Sequence, residues 1–255
     1  MGSNFWKSEH SNFLVHRERL IEAHKKDRER GLTYDQIEEV KVFIVLYLED
    51  VAKNSQNLIR QRVAAAACMY FRRFYLKEEF CDYDPRFVGP ACLFLACKAE
   101  ESQVQAKVLF QMLRKVSTTG KYHALPLPDS AQLLDLEMAV LESLEFNLIV
   151  YSPYRDLVIF LEDAQMTDLA ECAWAVLNDS YRTQLGLLHS PYMMAIACMH
   201  VASMVLGRSI QKWLESLTCD MDEVLEIAQE LLRCFRQQKN CMSSEACNRY
   251  LEFVM

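Results

Sequence analysis

Apolar residues recur at intervals of three and four along most of the chain, which is the spacing of one face of a helix. No alternation of apolar and polar residues extends beyond a few positions, so the pattern predicts an all-α fold. A polar segment at the start is predicted to be helical from about residue 10 to 28. Further helices are predicted at about 33–53, 58–76, 85–100, 103–117, 129–146, 153–164, 167–184, 191–206, 209–216, 220–239 and 243–254.

Capping signals mark most of these helix starts. A Ser, Thr or Asp three residues before a Gln or Glu is the spacing of a capping box, and a proline directly after a capping residue suits the first turn of a helix. The capping-box pairs are Thr33 with Gln36, Ser102 with Gln105, Asp129 with Gln132 and Asp220 with Glu223. The cap-plus-proline pairs are Asp84-Pro85, Ser152-Pro153 and Ser190-Pro191, and one of the predicted loops is Leu185–His189.

The chain contains an internal repeat. DPRFVGPACLFLAC (84–97) and SPYMMAIACMHVAS (190–203) align without gaps at an offset of 106 residues. Both segments carry small residues along their length, as expected of a central helix that its neighbours cross closely. The repeat predicts two copies of a five-helix unit, although two unrelated helices can share a cap and several alanines by chance.

Composition narrows the classes of function that the chain can have. The net charge is −7 with a pI near 5.5, and an acidic surface is a poor basis for binding nucleic acid directly. The ten cysteines include no CxxC pair, which together with the absence of a signal peptide predicts an intracellular, reduced protein. The longest apolar run, residues 192–207, contains His200 and Ser203, so it predicts a buried helix and not a membrane span.

Motifs for catalysis were not found. The glycines are isolated, and the six histidines form neither HExxH nor a Cys/His zinc spacing. Cys198 and His200 are interpreted as core residues. The sequence therefore predicts a binding protein that is not an enzyme and has no cofactor or metal.

Two charges interrupt apolar stripes. Lys98 follows Val88, Ala91 and Leu95 on one helix face, and Glu137 lies between Leu133 and Val140 on another. A buried lone charge is costly, so each needs a partner. Lys98 can extend its stem to water, or the two charges can pair internally, or both can bind a partner protein. The repeat favours the partner, because Met204 stands at the position of Lys98 in the second copy.

LACKAEE (95–101) followed by LEMAVLESLEFNL (136–148) resembles the first cyclin box of the cyclin family. The segments NFWKSEH, RRFYLKEEF, IVYSPYRDL, LNDSYRT and LTCDMDEVLEIA are similar to C-type cyclins, the kinase partners in the Mediator kinase module. The resemblance implies two tandem five-helix cyclin boxes with additional N- and C-terminal helices. The implied domains are an N-terminal helical segment (1–32), a first cyclin box (33–148), and a second box with the C-terminal helix (149–255).

The resemblance also implies site residues. Lys98 and Glu137 would bind the regulatory C-helix region of a cyclin-dependent kinase. Glu101 of the same motif would bind the kinase as well, with a helix end in solvent as its alternative. Phe5 and Trp6 would pack beside the kinase, although Trp6 could equally cover its own core. A third set, Trp174, Asn178 and Asp179, would line a groove that docks a Mediator subunit, with burial of Trp174 in the core as the alternative.

The function implied is that of a regulatory subunit that activates a transcriptional cyclin-dependent kinase in the nucleus, with no direct contact to nucleic acid or membrane. A cyclin of the H type and a TFIIB-like transcription factor are the alternatives. The first helix lacks the MRAIL-type motif of cell-cycle cyclins, so substrate recruitment through that motif is not expected. The run HKKDRER (24–30) is interpreted as a solvated helix end, with a basic targeting signal as the second interpretation.

Overall fold

A computed structural model describes residues 5–102, 104–118, 120–237 and 242–255. Within those ranges the chain folds into helices and loops without a β-strand, which confirms the all-α prediction. The α-helices are α1 Arg17–Glu22, α2 Lys25–Glu29, α3 Tyr34–Lys53, α4 Gln61–Phe74, α5 Pro85–Ala99, α6 Ala106–Ser117, α7 Ser130–Ser143, α8 Tyr154–Asp163, α9 Ala170–Ser180, α10 Leu185–Leu188, α11 Pro191–Val205, α12 Gln211–Ser216, α13 Met221–Gln237 and α14 Ser244–Val254. Short 3₁₀ helices lie at Phe5–Lys7, Glu9–Phe13, Gly120–Tyr122 and Thr167–Leu169.

The chain divides into two compact units. The first-repeat unit comprises Val15–Val150 and Cys241–Met255, and the second-repeat unit comprises Met1–Leu14 and Tyr151–Asn240. The C-terminal helix α14 therefore belongs with the first repeat, whereas the sequence grouped it with residues 149–255. Its buried stripe of Cys247, Leu251 and Val254 explains this placement, because it joins the core to which α3 contributes.

Helix α5 is the centre of the first-repeat unit. It packs against α3, α4, α6 and α7, and its residues from Val88 to Cys97 are all buried. A Cβ built on Gly89 would lie 2.6 Å from Cγ2 of Ile44 in α3, so a glycine is needed where the two helices meet. The small residues of this segment thus allow the close crossing that the repeat predicted.

Helix α11 is the corresponding centre of the second-repeat unit. It packs against α8, α9 and α13, and like α5 it has 15 residues and a proline in its first turn. Cys92 of α5 and Cys198 of α11 occupy matched positions and are both fully buried. Burial raises the pKa of both thiols well above the ordinary value, so both remain protonated. The predicted duplication therefore appears as two helix sets around equivalent central helices.

The predicted caps are partly confirmed. Thr33 with Gln36 and Asp129 with Gln132 form complete capping boxes. The Asp84 side chain accepts from the N–H of Arg86, and Asp220 accepts from the second and third residues that follow it. Gln105 caps α6 without a side-chain bond, and Pro153 stands at the cap of α8, so the caps predicted at Ser102 and Ser152 are wrong. The segment predicted as the loop Leu185–His189 contains the one-turn helix α10.

The polar N-terminal segment is not one helix. His24 adopts a left-handed conformation with φ of 58° and separates α1 from α2. In this conformation its Nδ1 lies 2.7 Å from a carboxylate oxygen of Asp27, and both side chains are buried. The interpretation of residues 24–30 as a solvated helix end is therefore wrong for these two residues, while Lys25 and Lys26 are exposed.

None of the described helices combines the length and the apolar character needed to cross a membrane.

Candidate functional site

Lys98 and Glu137 form an ion pair in the first-repeat unit. The Lys98 ammonium donates to both carboxylate oxygens of Glu137, at 2.7 and 2.8 Å. Lys98 lies in the last turn of α5 and Glu137 lies in the middle of α7, and these two helices pack against each other. The structure therefore brings together the two charges that interrupt the apolar stripes.

The two partners differ in exposure. The side chain of Lys98 is 51% exposed, whereas that of Glu137 is 8% exposed. The ammonium also lies 4.3 Å from the ring centroid of Phe94, one turn earlier on α5, which is within the range of a cation–π contact. Lys98 is thus held by two neighbours while one side of it remains accessible to another molecule.

Exposed apolar residues lie on α7 beside Glu137 and in the segment that follows the helix. On α7, Leu134 lies one turn before Glu137 and Met138 follows it directly, and both are exposed. The segment after α7 exposes Phe146 and Ile149. Several exposed apolar residues on one helix and the segment after it are typical of a protein interface. We call Leu134, Met138, Phe146 and Ile149, together with Lys98 and Glu137, the α7 face.

Glu101 lies at the turn that follows α5. Its φ is 55°, and its backbone N–H donates to the carbonyl of Lys98 at 3.2 Å. The preceding Glu100 pairs with Arg62 of α4 at 2.5 Å and so supports the fold. Glu101 itself is exposed, and the predicted role of its carboxylate toward a partner stays a prediction.

Phe5 and Trp6 belong to the second-repeat unit. The Phe5 ring contacts the rings of His10 and Tyr151 edge-on, at centroid distances of 5.1 and 5.8 Å. Nδ1 of the buried His10 accepts from the N–H of Tyr151 at 2.9 Å, which joins this short segment to the start of the repeat. The Trp6 side chain packs edge-on against Phe5 and is largely exposed, so it does not cover a core.

Trp174, Asn178 and Asp179 lie along α9. The Trp174 ring lies 4.7 Å from that of Tyr154, whose hydroxyl donates to Oδ1 of Asn178 at 2.6 Å. Asp179 pairs with Arg182 at 2.9 Å. Trp174 is 38% exposed, so it is not a core residue, and part of its side chain is accessible to a partner.

One group of described residues, Asp27, Glu79 and Cys81, has three potential metal ligands within 4.8 Å of one another. The Asp27 oxygens are already engaged, because they accept from the N–H groups of Phe80 and Cys81 and contact His24. Burial, followed by the charge of Asp27, raises the pKa of Cys81 to about 11, so its thiol is a poor ligand at neutral pH. The group fits a structural anchor of α2 better than a metal site.

A sequence model of the family described as "Cyclin, N-terminal domain" matches residues 6–149. Cyclin-C1-1 of Oryza sativa subsp. japonica is 40% identical over 91% of this chain and 88% of its own length. Cyclin-C1-1 of Arabidopsis thaliana is 38% identical over 100% of this chain and 99% of its own. The chain is a member of the cyclin family, of the C type. Cyclin-C of Rattus norvegicus extends the likeness to animals, at 34% identity over 94% of this chain and 86% of its own.

Solved structures agree with the cyclin fold. A chain of the yeast TFIIK (Kin28/Ccl1/Tfb3) complex matches with a TM-score of 0.67 and 21% identity, over 89% of this cyclin and 98% of that chain. A chain of the yeast RNA polymerase II CTD kinase complex CTDK-1 matches with a TM-score of 0.69 and 14% identity, over 95% of this cyclin and 83% of that chain. At these identities the matches show the fold of this C-type cyclin.

Two features of this cyclin were missed by sequence reasoning. The exposed apolar residues of the α7 face were not separated from the buried ones, because α7 is apolar over much of its circumference and spacing alone does not give exposure. His200 was interpreted as core, yet it is only partly buried and lines a cavity. The sequence did contain one signal for this cavity, Met204, four residues after His200 on the same helix. An apolar residue stands there, where the first repeat carries the charge of Lys98.

Proposed function

We propose that this C-type cyclin is a non-catalytic regulatory subunit that binds and activates a cyclin-dependent kinase acting in RNA polymerase II transcription. The proposal extends to a nuclear location and to assembly within a Mediator kinase module. The Lys98–Glu137 pair within the apolar α7 face is the observation that carries it. The names of the relatives, Cyclin-C and Cyclin-C1-1, agree with the type of cyclin.

The α7 face suits a helix of a partner kinase. Leu134 and Met138 are one turn apart on the same side of α7, and such a row packs against the apolar side of another helix. Lys98 supplies ammonium donors for main-chain carbonyls at the end of that helix, and the Glu137 carboxylate accepts from main-chain N–H groups. The charges orient the partner while the apolar residues supply most of the buried area.

Activation follows from the position of the docked helix. An active protein kinase requires a glutamate of its C-helix to pair with the lysine that holds the ATP phosphates. A cyclin bound through the α7 face would hold that helix inward and stabilise the paired state. The cyclin contributes no group to phosphoryl transfer in this scheme.

The Mediator part of the proposal rests on the C-type segments around Trp174 and Asn178. The partly exposed Trp174 ring, packed beside Tyr154, offers an aromatic surface on α9, while the Asp179 carboxylate is engaged by Arg182. A partner segment that presents an apolar or aromatic side chain is the chemistry that this surface of α9 would accept.

The test is recovery of kinase activity with the tagged chain from nuclear extract, assayed on a peptide of RNA polymerase II C-terminal repeats. Lys98→Glu reverses the charge beside Glu137, and we expect the recovered activity to fall by about tenfold or more. Lys107→Glu is the matched control, because Lys107 is an exposed lysine of α6 that lies outside the α7 face. Full recovery by a Lys98→Glu variant with native circular dichroism would contradict the role of the α7 face.

A further inference from the structure

A cavity of about 390 Å³ opens in the second-repeat unit at the C-terminal end of α11. Its walls come from that helix end, the turn after it, α12 and the start of α13. Its volume lies within the range of sites that hold small ligands. Its lining includes His200, Met204, Arg208, Ile210, Leu214 and Met221.

The cavity is apolar on its inner side. Ile210 and Leu214 are buried wall residues, and the thioethers of Met204 and Met221 adapt readily to the shape of an occupant. Met204 is 47% exposed, and the two residues after it, Val205 and Leu206, are exposed as well. The apolar surface therefore continues beyond the cavity along the helix end, and a small molecule in the cavity would leave that part uncovered.

His200 and Arg208 are among the polar residues that line the cavity. Nδ1 of His200 is buried and has no hydrogen-bond partner among the described residues. Burial lowers the pKa of His200, so its ring is neutral at pH 7 and adds no charge to the cavity. Arg208 is about half exposed, and its ion pair is with Asp168 through Nη2 at 3.2 Å.

The Arg208 guanidinium is the group that can bind a further charged partner. An arginine carries five N–H donors in a planar fork that suits a carboxylate, and one exposed ion pair uses few of them. The acidic residue at the cavity, Glu215, already accepts from the amide of Gln211 at 2.8 Å. The charges thus favour an occupant that brings a carboxylate toward Arg208.

We propose that this cavity docks an extended peptide segment of a partner protein, which inserts one bulky aliphatic side chain between Met204 and Leu214 and pairs a nearby acidic residue with Arg208. The segment covers Val205 and Leu206 as it leaves the cavity. This site is separate from the α7 face and does not depend on kinase binding.

The first repeat provides an internal comparison. The residue that matches Met204 is Lys98, whose ammonium is directed to Glu137. A lysine at position 204 would place a charge at the mouth of the apolar cavity and would remove the site without changing a buried residue. Met204→Lys is therefore the natural test variant, and Met204→Gln is a second variant of similar size without the charge.

The experiment selects peptides from a phage-displayed random library on the intact chain, with counter-selection on Met204→Lys. We expect the selected peptides to share an aliphatic residue near an Asp or Glu. In fluorescence anisotropy, Met204→Lys and Met204→Gln should weaken binding by about tenfold, as expected for loss of an anchor pocket. Arg208→Gln should weaken it about fivefold, and only for peptides that keep the acidic residue.

Leu225→Lys is the control, because Leu225 is an exposed apolar residue of α13 outside the cavity. It should bind the selected peptides as the unaltered chain does, and circular dichroism should show all variants folded. Failure to select any binding peptide would overturn the proposal. Peptides that bind folded Met204→Lys and Met204→Gln as tightly as the unaltered chain would overturn it too.

Discussion

Lys98 and Met204 occupy the same position of the two central helices, the last residue but one of α5 and of α11. Lys98 pairs with the nearly buried Glu137, whereas Met204 borders an apolar cavity. Because a central helix packs well with either residue, the lysine is not required for the repeat to fold. Under the proposed function the lysine serves to bind the kinase, so changes at this position should affect partner binding more than the stability of the fold.

Lys98→Met, which copies the second repeat, should reduce kinase recovery by about tenfold or more while the chain remains folded. The physical reason is the loss of the ammonium donors from the α7 face. Kinase activity recovered with the tagged chain and thermal unfolding followed by circular dichroism are the two measurements. A variant that unfolds at the same temperature and still recovers full activity would show that the lysine is dispensable for binding.

The ion pair itself should contribute little to stability. Glu137 is nearly buried, but Lys98 is half exposed, so solvent screens the pair, and pairs open to solvent contribute about 0.2–1 kcal/mol to the free energy of unfolding. A double-mutant cycle with Lys98→Met and Glu137→Gln, measured by urea unfolding, should therefore give a coupling free energy below about 1 kcal/mol. A coupling of several kcal/mol would indicate that the pair is structural and would weaken its assignment to an interface.

Gly89→Ala should destabilise the first-repeat unit by about 1–3 kcal/mol, because the added Cβ overlaps Cγ2 of Ile44. Urea unfolding gives the loss. Ile44→Ala removes the overlapping methyl group, so the double variant should lose less stability than the two single variants summed. Additive losses would mean that the two helices separate freely and that the close crossing is not a constraint.

Asp129→Ala should lower the free energy of unfolding by about 1 kcal/mol, since it removes the complete capping box of α7. Asp135→Ala in the same helix is the control, because Asp135 is exposed and lies outside the cap. Its effect should stay within about 0.5 kcal/mol. Equal losses for the two variants would indicate that lost charge, and not the cap, determines the effect.

The His24–Asp27 pair should make stability depend on pH. Burial, and then the charge of Lys41, lower the pKa of His24, although Asp27 and Glu38 oppose this. A histidine whose pKa is lower in the folded state stabilises the fold above its unfolded pKa of about 6.5. That contribution is lost as the pH falls from about 6.5 through the folded pKa.

His24→Asn removes this titration and keeps the left-handed backbone, which asparagine tolerates. Burial alone would raise the pKa of Asp27, but bonds from His24, Phe80 and Cys81 outweigh it and lower that pKa, so Asp27 stays ionised in this range. Between pH 7.5 and 5, urea midpoints of the unaltered chain should therefore fall more than those of His24→Asn. Parallel curves would show that His24 does not carry the effect.

The fold was largely predictable because several helix starts are specified by residues that are close together in the sequence. Thr33 and Asp129 cap helices with partners three residues away, so the sequence contains the whole interaction. Ser102 has the same spacing, but its hydroxyl donates instead to the carbonyl of Leu58, 44 positions away. Tertiary hydrogen bonds of this kind override a local signal, and a single sequence does not reveal them.

The candidate site was predictable where a charge stands on an apolar stripe. Lys98 and Glu137 break the pattern, and the structure joins them. Leu134 and Met138 continue an apolar pattern, so their exposure follows only from which helices pack on α7. His200 was assigned to the core because helix periodicity does not show where a neighbouring helix ends and leaves a cavity.

The matched thiols of Cys92 and Cys198 give each repeat its own chemical reporter. A protonated, fully buried thiol reacts with an alkylating reagent only after the surrounding helices have opened. Labelling rates at these two positions, resolved by mass spectrometry of the peptides, measure the opening of each unit separately. The duplication thus allows the two halves of one chain to be compared directly, with the same atom in the same place of each central helix.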